Sequence, residues 1–252
     1  MINIGSTIRK FNRFELKYLL SLEAAEAFRR ELGAYLQVDS HGNSNGDYVV
    51  SSLYYDSADY RFYWEKIEGI KFRRKLRIRQ YQTQAELTPD THVFVEIKQR
   101  LDRVTQKRRI LLPYWGALQL CNERNIPEHR PQDRAVVEEI YTMLHQCNLR
   151  PTSLVSYMRQ AFVGGDYDIG LRVTFDTNLR YRVDDLQLHS KQIGRFLLPP
   201  DRVVMEIKAN ERVPYWLTEL VAAHNFRLIR ISKYCHSLEM ADRVPGLSYL
   251  IA

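Results

Sequence analysis

Along much of this chain apolar and polar residues alternate with a period of two. Successive side chains of a strand point to opposite faces, so such alternation predicts half-buried β-strands. It predicts them near 11–18, 48–55, 71–82, 92–100, 104–112, 153–163, 169–177 and 202–209, with further ones around 180–197 and 226–230. Helical spacing is rarer. SLEAAEAFRREL (21–32) sets Leu22, Ala25, Phe28 and Leu32 on one stripe behind a Ser21 cap. Helices are also predicted over 57–68 with Ser57 as cap, over 132–147, over 214–224 with Pro214 near its first turn, and from Ser232 onward. The Gly- and Asn-rich SHGNSNGD (40–47) predicts a loop. No low-complexity segment or flexible linker divides the chain, so residues 1–252 read as one domain.

The polar faces of the strands carry an unusual load. VFVEIKQR (93–100) and VVMEIKAN (203–210) set the same Glu and Lys, two apart, into apolar strands. Glu96 and Lys98 share one face, with Val95 and Ile97 behind them; Glu206 and Lys208 share a face, with Met205 and Ile207 behind. The same parity aligns Arg13, Glu15 and Lys17, and then Lys71, Arg73, Lys75, Arg77, Arg79 and Tyr81. It also aligns Lys107 with Arg109, Tyr157 with Arg159, and Arg172 with Thr174 and Asp176. Strand after strand is apolar on one face and basic, with a few carboxylates, on the other. The two halves echo each other, since LRIRQY (76–81) precedes VFVEIK and LRVTFDT (171–177) precedes VVMEIK. The echo points to one sheet whose halves present similar charges to a shared space.

Two α+β architectures satisfy this pattern. One is an open antiparallel sheet with a solvated charged face and helices behind it. The other is an antiparallel β-barrel with a charged lumen, packed on the outside by helices. Like charges directly opposite across strands repel, and a polyanion held in a lumen would satisfy them. Composition adds little: 45% hydrophobic, 27% charged and a net charge of +7 favour an anionic partner without choosing among them. The basic residues alternate into one face instead of forming an exposed patch interleaved with aromatics, which disfavours nucleic acid. Cys121, Cys147 and Cys235 show no CxxC spacing, which argues against a zinc site or disulfide framework and fits a reducing compartment. No apolar run approaches membrane-spanning length and the first residues lack a signal-peptide core, so a cytoplasmic chain is expected.

Taken in order, RFELKY (13–18), LYYDS (53–57), LRIRQY (76–81), VFVEIKQR with the downstream KRR (93–109), SYMRQAF (156–162), LRVTFDT (171–177), VVMEIK (203–208) and ISKY (231–234) carry a resemblance. Across roughly residues 9–241 the chain resembles the VTC-type polyphosphate polymerase domain of the triphosphate tunnel metalloenzyme, or CYTH-like, superfamily. The resemblance implies an antiparallel β-barrel tunnel that transfers the ATP γ-phosphate to a growing polyphosphate chain and releases ADP. It implies a basic wall of Lys17, Arg77, Arg79, Lys98, Lys107, Arg159 and Arg172, lined by Tyr157. Arg77, Arg79, Lys98, Arg159 and Arg172 would be the catalytic group; Lys208, Ser232, Lys233 and Arg109 would add phosphate contacts. Glu206, joined by Glu15, would hold Mn2+ or Mg2+. The implied partners are ATP, pyrophosphate or polyphosphate, and a membrane-bound partner protein.

These roles suit the chemistry, because phosphoryl transfer asks mainly for positioning and cancellation of charge. One departure bears on the reaction. Hydrolases and cyclases of the superfamily carry ExExK in the first strand, and here the stretch is Arg13-Phe14-Glu15-Leu16-Lys17. Replacing the first carboxylate by a cation weakens a two-metal site for activating water and favours holding a polyanion. The alternatives are a metal-dependent triphosphatase of the same fold and a non-catalytic module binding polyphosphate or inositol phosphates.

Overall fold

The computed structural model describes residues 13–40, 42, 43, 45–82, 86–102, 104–166, 168–210 and 212–244. Residues 11 and 12 of the predicted first strand, residues 41 and 44 of the predicted loop, and the Arg13 side chain lie outside the described residues. The strands are β1 (Arg13–Ser21), β2 (Gln37–Val38), β3 (Asp47–Asp56), β4 (Phe72–Gln82), β5 (His92–Leu101), β6 (Val104–Pro113), β7 (Arg150–Val163), β8 (Arg172–Arg182), β9 (Arg195–Phe196) and β10 (Arg202–Asn210). The helices are α1 (Leu22–Leu32), α2 (Arg61–Ile67), α3 (Tyr114–Leu118), α4 (Arg134–Gln146), α5 (Tyr215–Ala223) and α6 (Lys233–Glu239).

All strands join one antiparallel sheet in the order β1-β10-β8-β7-β3-β4-β5-β6, with β2 on β7 and β9 on β8. The fold is therefore α+β and antiparallel, as the alternation predicts. No ladder closes the expected barrel among the described residues: the order ends at β1 and β6, and these two do not pair. The sheet still curves far enough for Glu15 on β1 to accept a 3.0 Å hydrogen bond from Lys98 on β5. Helices pack behind the apolar faces. Leu76, Ile78, Val95, Ile97 and Ile110 share a core with Val137, Ile140 and Leu144 of α4. Val173, Phe175, Met205 and Ile207 share another with Ala25, Phe28 and Leu32 of α1 and Leu217 of α5.

Helix starts follow the local polar chemistry. Ser21 accepts from Ala24 N at 3.1 Å and caps α1. The helix predicted from Ser57 begins later, at Arg61, because Tyr60 is left-handed (φ 58°). Its capping is shared: the Ser57 hydroxyl accepts from Arg61 N at 3.0 Å, as predicted, and the buried Asp56 carboxylate accepts from Phe62 N at 2.9 Å and Tyr63 N at 3.0 Å. The region predicted as one helix over 132–147 opens with a 3-10 turn, Pro131–Asp133. The stretch 226–230 contributes an isolated bridge, Leu228 to Tyr18, and no full strand. The short α3 and the π turn after it, Gln119–Glu123, had no clear periodic signal and were not predicted.

Candidate functional site

The charged faces of the strands converge on the concave side of the sheet, and the register decides which side chains meet. In one half Lys75 lies opposite Lys98, and Arg77 opposite Glu96. In the other, Arg172 lies opposite Lys208, and Thr174 opposite Glu206. The two EIK strands thus occupy equivalent positions in two strand pairs, β4–β5 and β8–β10, separated in the sheet by β3 and β7.

A first cluster centres on the buried Glu206. Lys208 Nζ lies 3.2 Å from its carboxylate, Lys17 Nζ 3.8 Å and Arg159 Nη2 3.9 Å. Lys17 also lies 3.1 Å from Glu15, which accepts from Lys98. Burial opposes the charge on Glu206, but Lys208 and Lys17 outweigh it and hold the carboxyl well below its ordinary range. Burial moves Lys208 the other way, down to about 8, with Glu206 restoring only part of the loss. Behind this cluster Asp176, fully buried, takes Arg159 in a two-pronged grip at 2.7 and 2.8 Å and Lys233 of α6 at 2.7 Å. Burial would raise Asp176, yet Arg159 and Lys233 bring it to about 2.

A second cluster lies along β4. Glu96 accepts from Arg77 Nε at 2.8 Å and faces Lys107 Nζ at 2.5 Å. Against the cost of burial, Arg77, Arg79 and Lys107 hold Glu96 at about 2. Arg79, 7% exposed, has only hydroxyl partners: Ser52 at 2.9 Å, Tyr157 at 3.4 Å and Tyr81 at 3.5 Å. It forms no ion pair among the described residues. Glu96 offsets part of its charge from a distance, but a buried guanidinium with no direct carboxylate partner is expensive unless an anion completes it. The neighbouring Tyr54 registers the same excess of charge. Burial would raise its hydroxyl, but Arg77, Arg79 and Lys75 bring it down to about 7.

The structure brings Lys17, Lys98, Arg159, Lys208, Lys233, Glu15 and Glu206 into one contiguous network, with Arg77, Arg79, Lys107 and Tyr157 in an adjacent one. Arg172 stands apart, paired with Asp39 at 2.7 Å and donating to Tyr48 Oη at 2.9 Å. Arg109 lies opposite Glu96 in the ladder but is exposed and stacks on Phe94, 4.4 Å from the ring centre, with no ion pair among the described residues. The Ser232 hydroxyl caps α6 by accepting from Cys235 N and also accepts from Lys75 Nζ at 2.7 Å. Lys75, Tyr54 and Asp176 belong to this site but were not selected from the sequence. Period-two parity with Arg77 and Arg172 marks Lys75 and Asp176; Tyr54 shares parity with Ser52 in β3, a subtler signal.

Among the described residues no group of three or more His, Cys, Asp or Glu side chains is arranged to hold a metal alone. Glu15 and Glu206 do share the Lys17 ammonium, at 3.1 and 3.8 Å. Two adjacent carboxylates suit a hard cation that takes its remaining oxygens from phosphates and water. Cys121, Cys147 and Cys235 are buried and unpaired.

A curved antiparallel sheet with a basic, partly buried concave face is the setting in which the comparisons with known proteins fall. The chain matches the VTC domain family over residues 12–241 and belongs to that family. It is 24% identical over 221 residues to the vacuolar transporter chaperone complex subunit 4 of Trypanosoma brucei brucei, covering 75% of this chain and 28% of that protein. To the protein of the same name in Trypanosoma cruzi it is 27% identical over 223 residues, with the same coverage. The chain thus spans under a third of the length of these relatives. A solved structure of a Pyrococcus horikoshii protein aligns with 92% of this chain and 99% of that one, at 13% identity and a TM-score of 0.46.

Proposed function

We propose that the concave face is a metal-assisted phosphoryl-transfer site that lengthens inorganic polyphosphate at the expense of ATP. The observation that carries this reading is Arg79: a buried guanidinium hydrogen-bonded by hydroxyls alone, in a site whose cations exceed its carboxylates. Such a face fits a substrate with several negative phosphates. Membership of the VTC domain family supports the same substrate class.

In this reading Arg77, Arg79 and Arg159 hold the equatorial oxygens of the transferring phosphoryl group and cancel the charge that spreads over them. Lys98, Lys17, Lys208 and Lys233 align the flanking phosphates. Tyr157, under Arg159 and Lys233 at 5.1 and 4.8 Å, orients both cations. A terminal phosphate oxygen of the acceptor chain forms the new P–O bond to the γ-phosphorus. The bond to the β–γ bridging oxygen breaks, and ADP leaves with the electron pair. The attacking oxygen is already anionic, so no general base is required. Mn2+ or Mg2+ held at Glu206 and Glu15 would supply Lewis-acid polarisation of phosphate oxygens. Arg172 and Arg109 contribute at the periphery, and Ser232 acts through its bond to Lys75. The relatives' name supports a further element of the proposal, a protein complex with a membrane-bound partner. No helix among the described residues is long and apolar enough to cross a membrane.

The test is an incubation with ATP, Mn2+ and a pyrophosphate primer, followed for ADP, free phosphate and long-chain polyphosphate. ADP and polymer in proportion support transfer. Free phosphate without polymer assigns the site to triphosphate hydrolysis, and tight triphosphate binding without turnover makes it a binding module. Glu206→Ala is expected to lose turnover by roughly a hundredfold or more with its circular dichroism spectrum unchanged. Full activity in that variant would remove Glu206 from the metal role.

A further inference from the structure

The concave face continues past the core site in one direction. Beyond Lys75 and Lys98, the next rung of β4 and β5 sets Arg73 directly opposite Arg100. Two like-charged pairs thus follow one another along the strands, about 7 Å apart. Directly opposed like charges destabilise a sheet, yet no carboxylate relieves Arg73, Lys75 or Arg100 among the described residues. The Arg73 Nε is buried without a hydrogen-bond partner. Arg100 Nε donates to a backbone oxygen, that of Asp102, at 2.8 Å. Lys66 of α2 joins them from the adjoining side. Its ammonium is held below the ordinary lysine range, first by burial and then by Arg73 and Lys75. The other end of the face is built differently. There Tyr48, Tyr81 and Phe94 form a row, with ring centres 6.0 and 5.8 Å apart, and Arg172 is already paired with Asp39.

We propose that Lys66, Arg73 and Arg100 form an outer lane for the distal part of a long polyphosphate chain, so that the chain runs out of the core site over the start of β4. The inference rests on the phosphate-binding reading of the core site. It adds a subsite and a direction. A repeating anion fits the lane because the unpaired cations themselves repeat along the strands. Tripolyphosphate, confined to the core, does not reach it.

The experiment compares dissociation constants for tripolyphosphate and for long-chain polyphosphate across a salt series. Wild type is set against the triple variant Lys66→Gln, Arg73→Gln, Arg100→Gln. In the variant, long-chain affinity falls at least about tenfold, and the slope of log affinity against log salt becomes shallower by roughly one to two. Tripolyphosphate affinity stays within about twofold of wild type on the same scale. Equal losses for both ligands, or no loss for either, would overturn the lane. Single-stranded RNA competing as well as polyphosphate would overturn its assignment to phosphate chains. Wild type that binds neither phosphate ligand would overturn the core-site reading itself, which separates the two failures.

Discussion

Arg79 and Lys208 show how single residues here are set against their own comfort. Arg79 is buried among Ser52, Tyr81 and Tyr157, with no carboxylate at hydrogen-bond or ion-pair distance among the described residues. Arg79→Met is therefore expected to leave ligand-free stability within about 1 kcal/mol of wild type, or to raise it, because replacing a buried ion by an apolar side chain is often neutral or better. Triphosphate affinity should fall roughly a hundredfold, since a desolvated charge contact is worth about 2–5 kcal/mol. Urea titration and calorimetry check the two halves; a variant that loses both stability and binding would mark Arg79 as structural. Lys208 gives a pH dependence. Its folded pKa of about 8 lies below the ordinary 10.5, so the unfolded chain holds more protons between these values. Its contribution to stability is unfavourable below about 8 and is relieved as pH rises toward 10.5. Anion binding needs the protonated form, so triphosphate affinity falls as pH climbs above about 8. Lys208→Arg should flatten that fall, a distinction that affinity measurements at several pH values would reveal.

At the scale of elements, strand parity was the legible part. In RRKLRIRQY the apolar Leu76 and Ile78 could only face the helices, so Lys75, Arg77 and Arg79 had to share the other side. What parity does not carry is contact across the sheet. That Arg159 grips Asp176, or that α6 brings Lys233 to the same carboxylate, depends on register and curvature set by the whole ladder. The start of α2 is only half legible for a related reason. Ser57 does cap Arg61 N, and the buried Asp56, which carries no helical signal, reaches further, to Phe62 N, Tyr63 N and the Tyr234 hydroxyl. Asp56→Ala leaves these donors unsatisfied and should cost about 3 kcal/mol or more. Asp56→Asn, which keeps one acceptor oxygen, should cost less. Equal midpoints for the two variants in urea would show that the hydrogen bonds are not what holds the helix start.

Across the whole molecule, closure was the feature the sequence left open. Alternation is the same in an open sheet and in a barrel, because strand tilt and stagger decide between them. The structure meets that choice with a ladder that ends at β1 and β6 and a Glu15–Lys98 bond reaching across. The molecule also has a global response to ligand. At a concentration about a hundred times the dissociation constant, tripolyphosphate should stabilise the fold by about 2.7 kcal/mol, or roughly 5–10 °C in melting temperature. Sodium chloride at matched ionic strength should do far less; equal shifts would reduce the effect to general screening. The like-charged rungs of β4 and β5 give this a wider meaning. The gene encodes one half of a salt, and the missing ion has to come from the surroundings. Protein purified from cells rich in phosphate polymers should therefore arrive with phosphorus still attached, and stripping it should loosen β4 and β5 before the rest of the sheet.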